Sequence, residues 1–264
     1  MSIIINNKFA IKDTIGSGMF GIVYEGINIR TKEPIAMKLE KNSNRNKLIR
    51  REAMILNYLN RNETENVPGL YYYGIIDNLS CIIMTKFSCD LLEYIENKNP
   101  NLESLMIHCV HCVKSIHDKN VLHRDIKPQN FMIKNGKVYL IDFGFSIFFK
   151  DENGLHTKKQ EQHIIGSVKY NSFFNHCGEP CSRRDDLLSI GYMFLSFVKE
   201  LPWSNVPEFE SDLEITSINH PRNMYIKQQK CYNIIEPYIP EIWKSYFENV
   251  YSLKYDDIPT YTST

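Results

Sequence analysis

The chain has 264 residues, of which 43% are hydrophobic, enough for a sizeable core in one or two domains. It carries 31 basic and 31 acidic side chains, so its formal charge is zero and there is no bulk electrostatic case for nucleic acid or an anionic membrane. No apolar run approaches the ~20 residues that span a bilayer, and MSIIINNKF lacks the basic and long apolar parts of a signal peptide. Seven scattered cysteines fit a reducing setting, so an intracellular protein, cytoplasmic or nuclear, is expected.

From the N-terminus, residues 9–39 alternate apolar and polar and are broken by Gly, Pro and Asn. They predict three antiparallel strands around 9–16, 21–29 and 33–40. The first two are joined by Ile15-Gly16-Ser17-Gly18-Met19-Phe20-Gly21-Ile22-Val23, a G-x-G-x-x-G-x-V string. A dinucleotide-binding string would lead from strand into helix, with an acidic residue about 20 positions on. Here the flanking pattern is strand on both sides. The glycines then read as a flap whose backbone N–H groups can approach phosphates without a Cβ in the way. An ordinary glycine-rich hairpin would look the same from this segment alone.

Ala36-Met37-Lys38 lies on the third strand. Residues 44–60 predict an amphipathic helix, with Leu48, Ile49, Ile55, Leu56 and Leu59 among charges. Glu52 sits among those apolar positions, fourteen residues after Lys38, and is the natural counterion for a phosphate-binding ammonium. The bland alternative is that Arg50, Arg51 and Glu52 are simply a solvated face. Strands at 70–76 and 80–85 complete a small sheet that ends near residue 86.

Beyond Phe87 the pattern turns helical, at 90–97 and 102–119. Within the second segment His108, Cys109, His111 and Cys112 form HCVHC. Four closed ligands are lacking, so the cysteines read as small buried hydrophobes rather than a zinc site. His123 to Asn130 read HRDIKPQN, followed by strands at 131–134 and 137–142 joined at Asn135-Gly136. The second strand runs into Asp142-Phe143-Gly144. These residues suit phosphoryl transfer. Asp125 can accept or orient a hydroxyl proton, Lys127 can neutralise charge on the transferring group, and Asn130 and Asp142 offer oxygens to divalent metal. After Asp186 a nearly continuous apolar run predicts a buried helix over 185–200. The stretch 204–221 is polar, punctuated by Pro207 and Pro221.

Taken together, the strings resemble the eukaryotic protein kinase family over essentially the whole length. The resemblance implies an α+β fold of two lobes: a small antiparallel sheet with one helix to about residue 86, and a larger, mainly helical lobe over 87–264. It implies Mg²⁺, or Mn²⁺ in its place, with ATP in the cleft between the lobes. By the same alignment Met84 resembles the gatekeeper and Phe87 the hinge residue that bonds adenine. Ile15, Val23, Ala36, Met132 and Ile141 would line the slot, and Asp186 matches the family's buried aspartate behind the catalytic loop. Lys127, two residues after Asp125, resembles the serine/threonine branch.

The chain lacks the A-P-E string common in that family. Instead Gly166-Ser167-Val168-Lys169-Tyr170-Asn171-Ser172, Ser182-Arg183-Arg184-Asp185-Asp186-Leu187, Leu201-Pro202-Trp203 and the 251–261 segment resemble the casein kinase I family. That implies a monomer acting on protein serine or threonine, with no nucleic-acid or membrane partner. A basic patch from Lys169, Arg183, Lys227 and Lys230 could read acidic or already phosphorylated contexts, or be a solvated basic surface. Lys169 stands where that family has an arginine, and Gln129 where it has a glutamate. The segment also ends where the family continues into one more helix. A pseudokinase scaffold and a small-molecule kinase stay open as alternatives.

Overall fold

The computed structural model describes residues 3–18, 21–41, 48–157 and 162–262. It has the expected α+β, two-lobed form. The smaller lobe is a six-stranded antiparallel sheet: β1 (Ile3–Ile5), β2 (Phe9–Gly18), β3 (Gly21–Asn28), β4 (Pro34–Lys41), β5 (Leu70–Ile76) and β6 (Leu79–Thr85), in the order β1-β2-β3-β4-β6-β5. Period-two alternation sorts its side chains. On β4, Ile35 and Met37 are buried on the far face with Phe9, Ile11, Cys81 and Ile83. Ala36 and Lys38 therefore point to the other face, toward the cleft.

Helix α1 (Leu48–Arg61) lies across that second face. Its buried Ile49, Ala53 and Leu56 follow the i, i+4, i+7 spacing of one stripe, and Glu52 lies on it. The first residues of the expected 44–60 helix lie outside the described residues. Strand β1 was not expected; three consecutive isoleucines were the available signal, and they pair with Phe9–Ile11.

The larger lobe begins after β7 (Cys89–Asp90) and is built on α2 (Leu91–Lys98), α3 (Leu102–His117) and α5 (Arg183–Val198). The first two have side-chain N-caps: Asp90 accepts from Glu93 N at 2.9 Å and Asn101 from Ser104 N at 2.8 Å. Helix α5 starts two residues earlier than expected, at a capping box between Ser182 and Asp185. Residues 183–195 of α5 are all buried, so this helix forms the centre of the lobe. The short helix α4 (Phe173–His176) and helices α6 (Pro221–Gln229), α7 (Tyr232–Ile235) and α8 (Lys244–Ser252) pack around it.

Short strand β8 (Val121–Leu122) pairs with β11 (Ile147–Phe148). Between them, β9 (Phe131–Lys134) and β10 (Lys137–Leu140) form the hairpin turned by Asn135-Gly136. Strand β10 stops two residues short of the expected 142. Ile141 N still bonds Asn130 O at 2.8 Å in the register of the hairpin, and Asp142 then takes a left-handed conformation, φ 63°, that ends it. Among the described residues no helix is long and apolar enough to cross a membrane.

Candidate active site

A cleft of about 330 Å³ opens between the lobes. Apolar side chains line most of it: Ile15 and Val23 from the β2–β3 hairpin, Ala36 and Met84 from the sheet, and Met132 and Ile141 from below. Gly16, Ser17, Gly21 and Phe87 also line it, as expected. Gly21 has φ 112°, and a Cβ there would lie 1.9 Å from Leu39 O, so a glycine is required for the hairpin to seat on β4. Ile22 departs from the expectation. It alternates with Val23, points away from the cleft and is 41% exposed. Met19 and Phe20 lie outside the described residues, and Gly18 ends β2 opposite Gly21.

At the polar end of the cleft, Lys38 Nζ lies 2.9 Å from Glu52 Oε2 and 3.0 Å from Asp142 Oδ1. Burial pulls the ammonium down, but the two carboxylates outweigh it and raise the Lys38 pKa. One positive charge against two negative ones leaves an excess of one. Burial, with Asp142 nearby, pushes the Glu52 carboxyl up despite Lys38. Burial acts on Asp142 too, yet Lys38 and Lys127 together hold it below the ordinary carboxylate value. Asp142 is thus the ionised, partly exposed oxygen donor of the pair.

Below it, Asp125 is held by three donors. Lys127 Nζ reaches Oδ2 at 2.7 Å, Asn130 Nδ2 reaches Oδ2 at 3.2 Å, and Ser167 Oγ reaches Oδ1 at 2.8 Å. Asn130 Nδ2 also bonds Asp125 O at 2.8 Å, which spends the amide nitrogen and leaves the oxygen as acceptor. The donor set therefore fits a divalent cation that takes one oxygen each from Asp142 and Asn130 and the rest from a nucleotide. It fits no all-protein metal cage: among the described residues no group of three or more His, Cys, Asp or Glu could hold a metal.

The catalytic string is held from behind by Asp186. Its Oδ2 accepts from His123 N at 2.8 Å and faces His117 Nε2 at 2.9 Å, and its Oδ1 accepts from Arg124 N at 2.9 Å. These bonds fix Arg124 at φ 70°, a left-handed conformation that costs a non-glycine residue about 1–3 kcal/mol. His123 accepts from Asp125 N through Nδ1, so its proton sits on Nε2 and bonds Ile141 O at 2.8 Å. Its ring packs edge-on against Phe143, 5.2 Å away. One histidine thus joins the HRD string to the DFG string.

Family comparison matches the protein kinase domain over residues 9–244. The chain belongs to the protein kinase family. Transfer of phosphate from ATP with the help of divalent metal follows from that membership, as does a protein as acceptor.

Other residues of this kinase fall differently from their sequence reading. Lys230 and Arg183 were expected on a basic, substrate-facing patch, and both are buried. Lys230 Nζ donates to the carbonyls of Val168 and Asn171, and Arg183 Nη2 to those of Asp256 and Asp257 at 3.0 Å each. Both spend their N–H donors on backbone carbonyls of loops that make no ladder. Lys169 is exposed and Lys227 half-buried. Gln129 is exposed, so its exchange for a glutamate perturbs no packing. In HCVHC, His108 and His111 face out while Cys109 and Cys112 face the core, and burial pushes the Cys112 thiol up to about 12. Sequence reasoning passed over Ser167 as a partner of Asp125. Its place directly after Gly166 was the signal: a Cβ at Gly166 would lie 2.4 Å from Arg124 O, so the loop must press against the catalytic string. It also passed over Thr85 and Lys86 in the cleft wall, the latter paired with Glu25.

Proposed function

We propose that this kinase is an active serine/threonine kinase of casein kinase I type, one catalytic domain with lobes of about 1–86 and 87–264. The observation that carries the reading is the convergence of Lys127 and Ser167 on the two oxygens of Asp125. A hydroxyl entering beside Ser167 meets Asp125 as the proton acceptor. Lys127 stands where charge builds on the transferring group. Lys38, fixed by Glu52, would bind the α- and β-phosphates, and the apolar walls would hold adenine against the backbone at Phe87. Mg²⁺ on Asp142 and Asn130 would supply charge neutralisation between phosphates. Catalysis then rests on placement and electrostatics rather than on a covalent step.

The GSVKYNS, SRRDDL and LPW strings support the casein kinase I branch. Of the four cations first considered for an acidic or phosphorylated substrate, Lys169 and Lys227 retain access to solvent. The test is a positional peptide-library assay with labelled γ-phosphate, followed by phosphoamino-acid analysis. Label on serine or threonine, enhanced by acidic residues nearby, is expected. Label on tyrosine alone would reject the branch. Nucleotide-dependent melting without transfer would favour a pseudokinase, and label on small molecules alone a small-molecule kinase.

A further inference from the structure

The loop 165–172 borders the place where an acceptor must arrive, because Ser167 bonds Asp125 and Gly166 packs on Arg124. It has no strand partner, yet four of its carbonyls are held by side chains. Asn171 Nδ2 donates to Ile165 O at 2.6 Å, and Trp203 Nε1 to Lys169 O at 2.7 Å. Ser167 O accepts from Tyr170 N and Asn171 N at 2.9 Å each, and two more, Val168 O and Asn171 O, are taken by Lys230 Nζ at 2.9 and 2.5 Å.

Lys230 is an unusual residue for this duty. It is 0% exposed, its amine has no carboxylate among its bonds, and its third contact is His176 Nε2 at 3.2 Å. The rings of Trp203 and Tyr192 flank the nitrogen with centroids at 5.0 and 5.2 Å, a cation–π arrangement. Its backbone is fixed as well: Lys230 N bonds Ile226 O at 3.0 Å, and Lys230 O accepts from Tyr251 Oη at 2.6 Å. The three contacts of the amine are satisfied in either protonation state. An ammonium donates to all three acceptors; a neutral amine donates to the two carbonyls and accepts from His176 Nε2–H.

We propose that Lys230 is a positioning residue for protein-substrate binding: from inside the lobe it fixes the carbonyls of Val168 and Asn171 and so sets the shape of the loop that receives the acceptor. It touches neither nucleotide nor acceptor and acts through the loop. The proposal rests on the role given above to Asp125.

Lys230→Met keeps the length and volume of the side chain and removes the Nζ donor from both carbonyls. The loop must then shift to rehydrate them. The KM for a protein substrate is expected to rise about tenfold or more, the loss of two hydrogen bonds that shape the loop, while the KM for ATP stays within about twofold. Amide hydrogen exchange at 167–172 should quicken while exchange in the β3–β4 pair is unchanged. A folded Lys230→Met with wild-type protein KM and wild-type loop exchange would overturn the proposal. Trp203→Phe, which removes one N–H from the same loop and keeps an aromatic ring, should quicken exchange around Lys169 with a smaller rise in protein KM. Should Lys230→Met not fold, an unchanged loop in Trp203→Phe overturns the proposal instead. Absence of transfer by the wild-type enzyme would reject the proposed function, and loop exchange would still decide the role of Lys230.

Discussion

Asp186→Asn exchanges one buried oxygen for an NH₂ group with almost no change in volume. Every partner of Asp186 is an N–H donor: Arg124 N on Oδ1, and His123 N and His117 Nε2 on Oδ2. The asparagine NH₂ therefore faces at least one N–H whichever way the amide is turned. One donor left unpaired in the interior costs ~1–3 kcal/mol. The two surviving bonds lose their charge assistance, about 1 kcal/mol each. The sum is ~3–5 kcal/mol, a large part of the roughly 5–15 kcal/mol that holds a domain folded. Burial pushes the Asp186 carboxyl up, but His117 and the other donors outweigh it and its pKa falls below the ordinary value. A depressed folded-state pKa means stability that is present above the unfolded value of about 3.9 and lost as pH falls through the folded pKa. The deficit of the variant should therefore shrink in acid.

Its neighbour supplies the control. Asp185 also sits 1% exposed, but one of its partners is the Ser172 hydroxyl, which can reverse its direction, and the other is Ser182 N at 2.7 Å. An asparagine there can accept from Ser182 N and donate to Ser172 Oγ, so Asp185→Asn should cost under about 1 kcal/mol. Burial, partly offset by Ser172, raises the Asp185 pKa to about 6. A raised carboxyl pKa favours the fold below the unfolded value of about 3.9 and loses that contribution as pH rises through about 6. At pH 8 the exchange thus also removes an unfavourable buried charge. Urea unfolding followed by circular dichroism, with unchanged m-values, measures both variants. Asp186→Asn within about 1 kcal/mol of the parent, or Asp185→Asn as damaging as Asp186→Asn, would refute the reasoning.

Lys38→Met should abolish measurable transfer of labelled γ-phosphate to protein; transfer at the parental rate would remove Lys38 from the reaction. Ser167→Ala should lower kcat by about tenfold, one hydrogen bond to a charged group, with little change in ATP KM, and Ser167→Thr should restore it. Val23→Ala should raise the KM for ATP several-fold, whereas Ile22→Ala, on the outer face, should leave it unchanged; equal effects would contradict the register of β3. Asn130→Ala should raise the Mg²⁺ concentration needed for half-maximal transfer, read by metal titration at fixed ATP.

The sequence made the β-sheet, α1 and the HRD and DFG strings readable because each rests on local rules: period two, period 3.6, and residues spaced along one loop. Glu52 was placed correctly by its apolar neighbours alone. Burial of cations was not readable in the same way. Lys230 and Arg183 look like surface charge in sequence, because their partners are carbonyls of segments 59–62 and 73–74 residues away. Any residue can supply a carbonyl, so no side-chain pattern announces the pairing. Ile22 failed for a smaller reason. A motif names a stretch of chain, whereas a strand sends alternate members of that stretch to opposite faces.

The string Arg183-Arg184-Asp185-Asp186 shows what a run of charges means when it opens a buried helix. Consecutive helical residues point about 100° apart, so four of them sweep the whole circumference. A solvated face would leave most of that circle to water, yet all four residues are buried. Between them they reach three stretches of chain, the two arginines sharing 253–257. Arg183 takes the carbonyls of Asp256 and Asp257, and Arg184 takes Leu253 O at 2.9 Å and stacks over Phe174 at 3.6 Å. Asp185 takes Ser172 at the end of the acceptor loop, and Asp186 the catalytic string. The first turn of α5 is therefore the point where three irregular segments are indexed against one rigid element. Charged groups suit that task because irregular backbone offers unpaired N–H and C=O groups, which an apolar side chain could cover but not satisfy. An order of two donors followed by two acceptors then fixes which segment lies on which side.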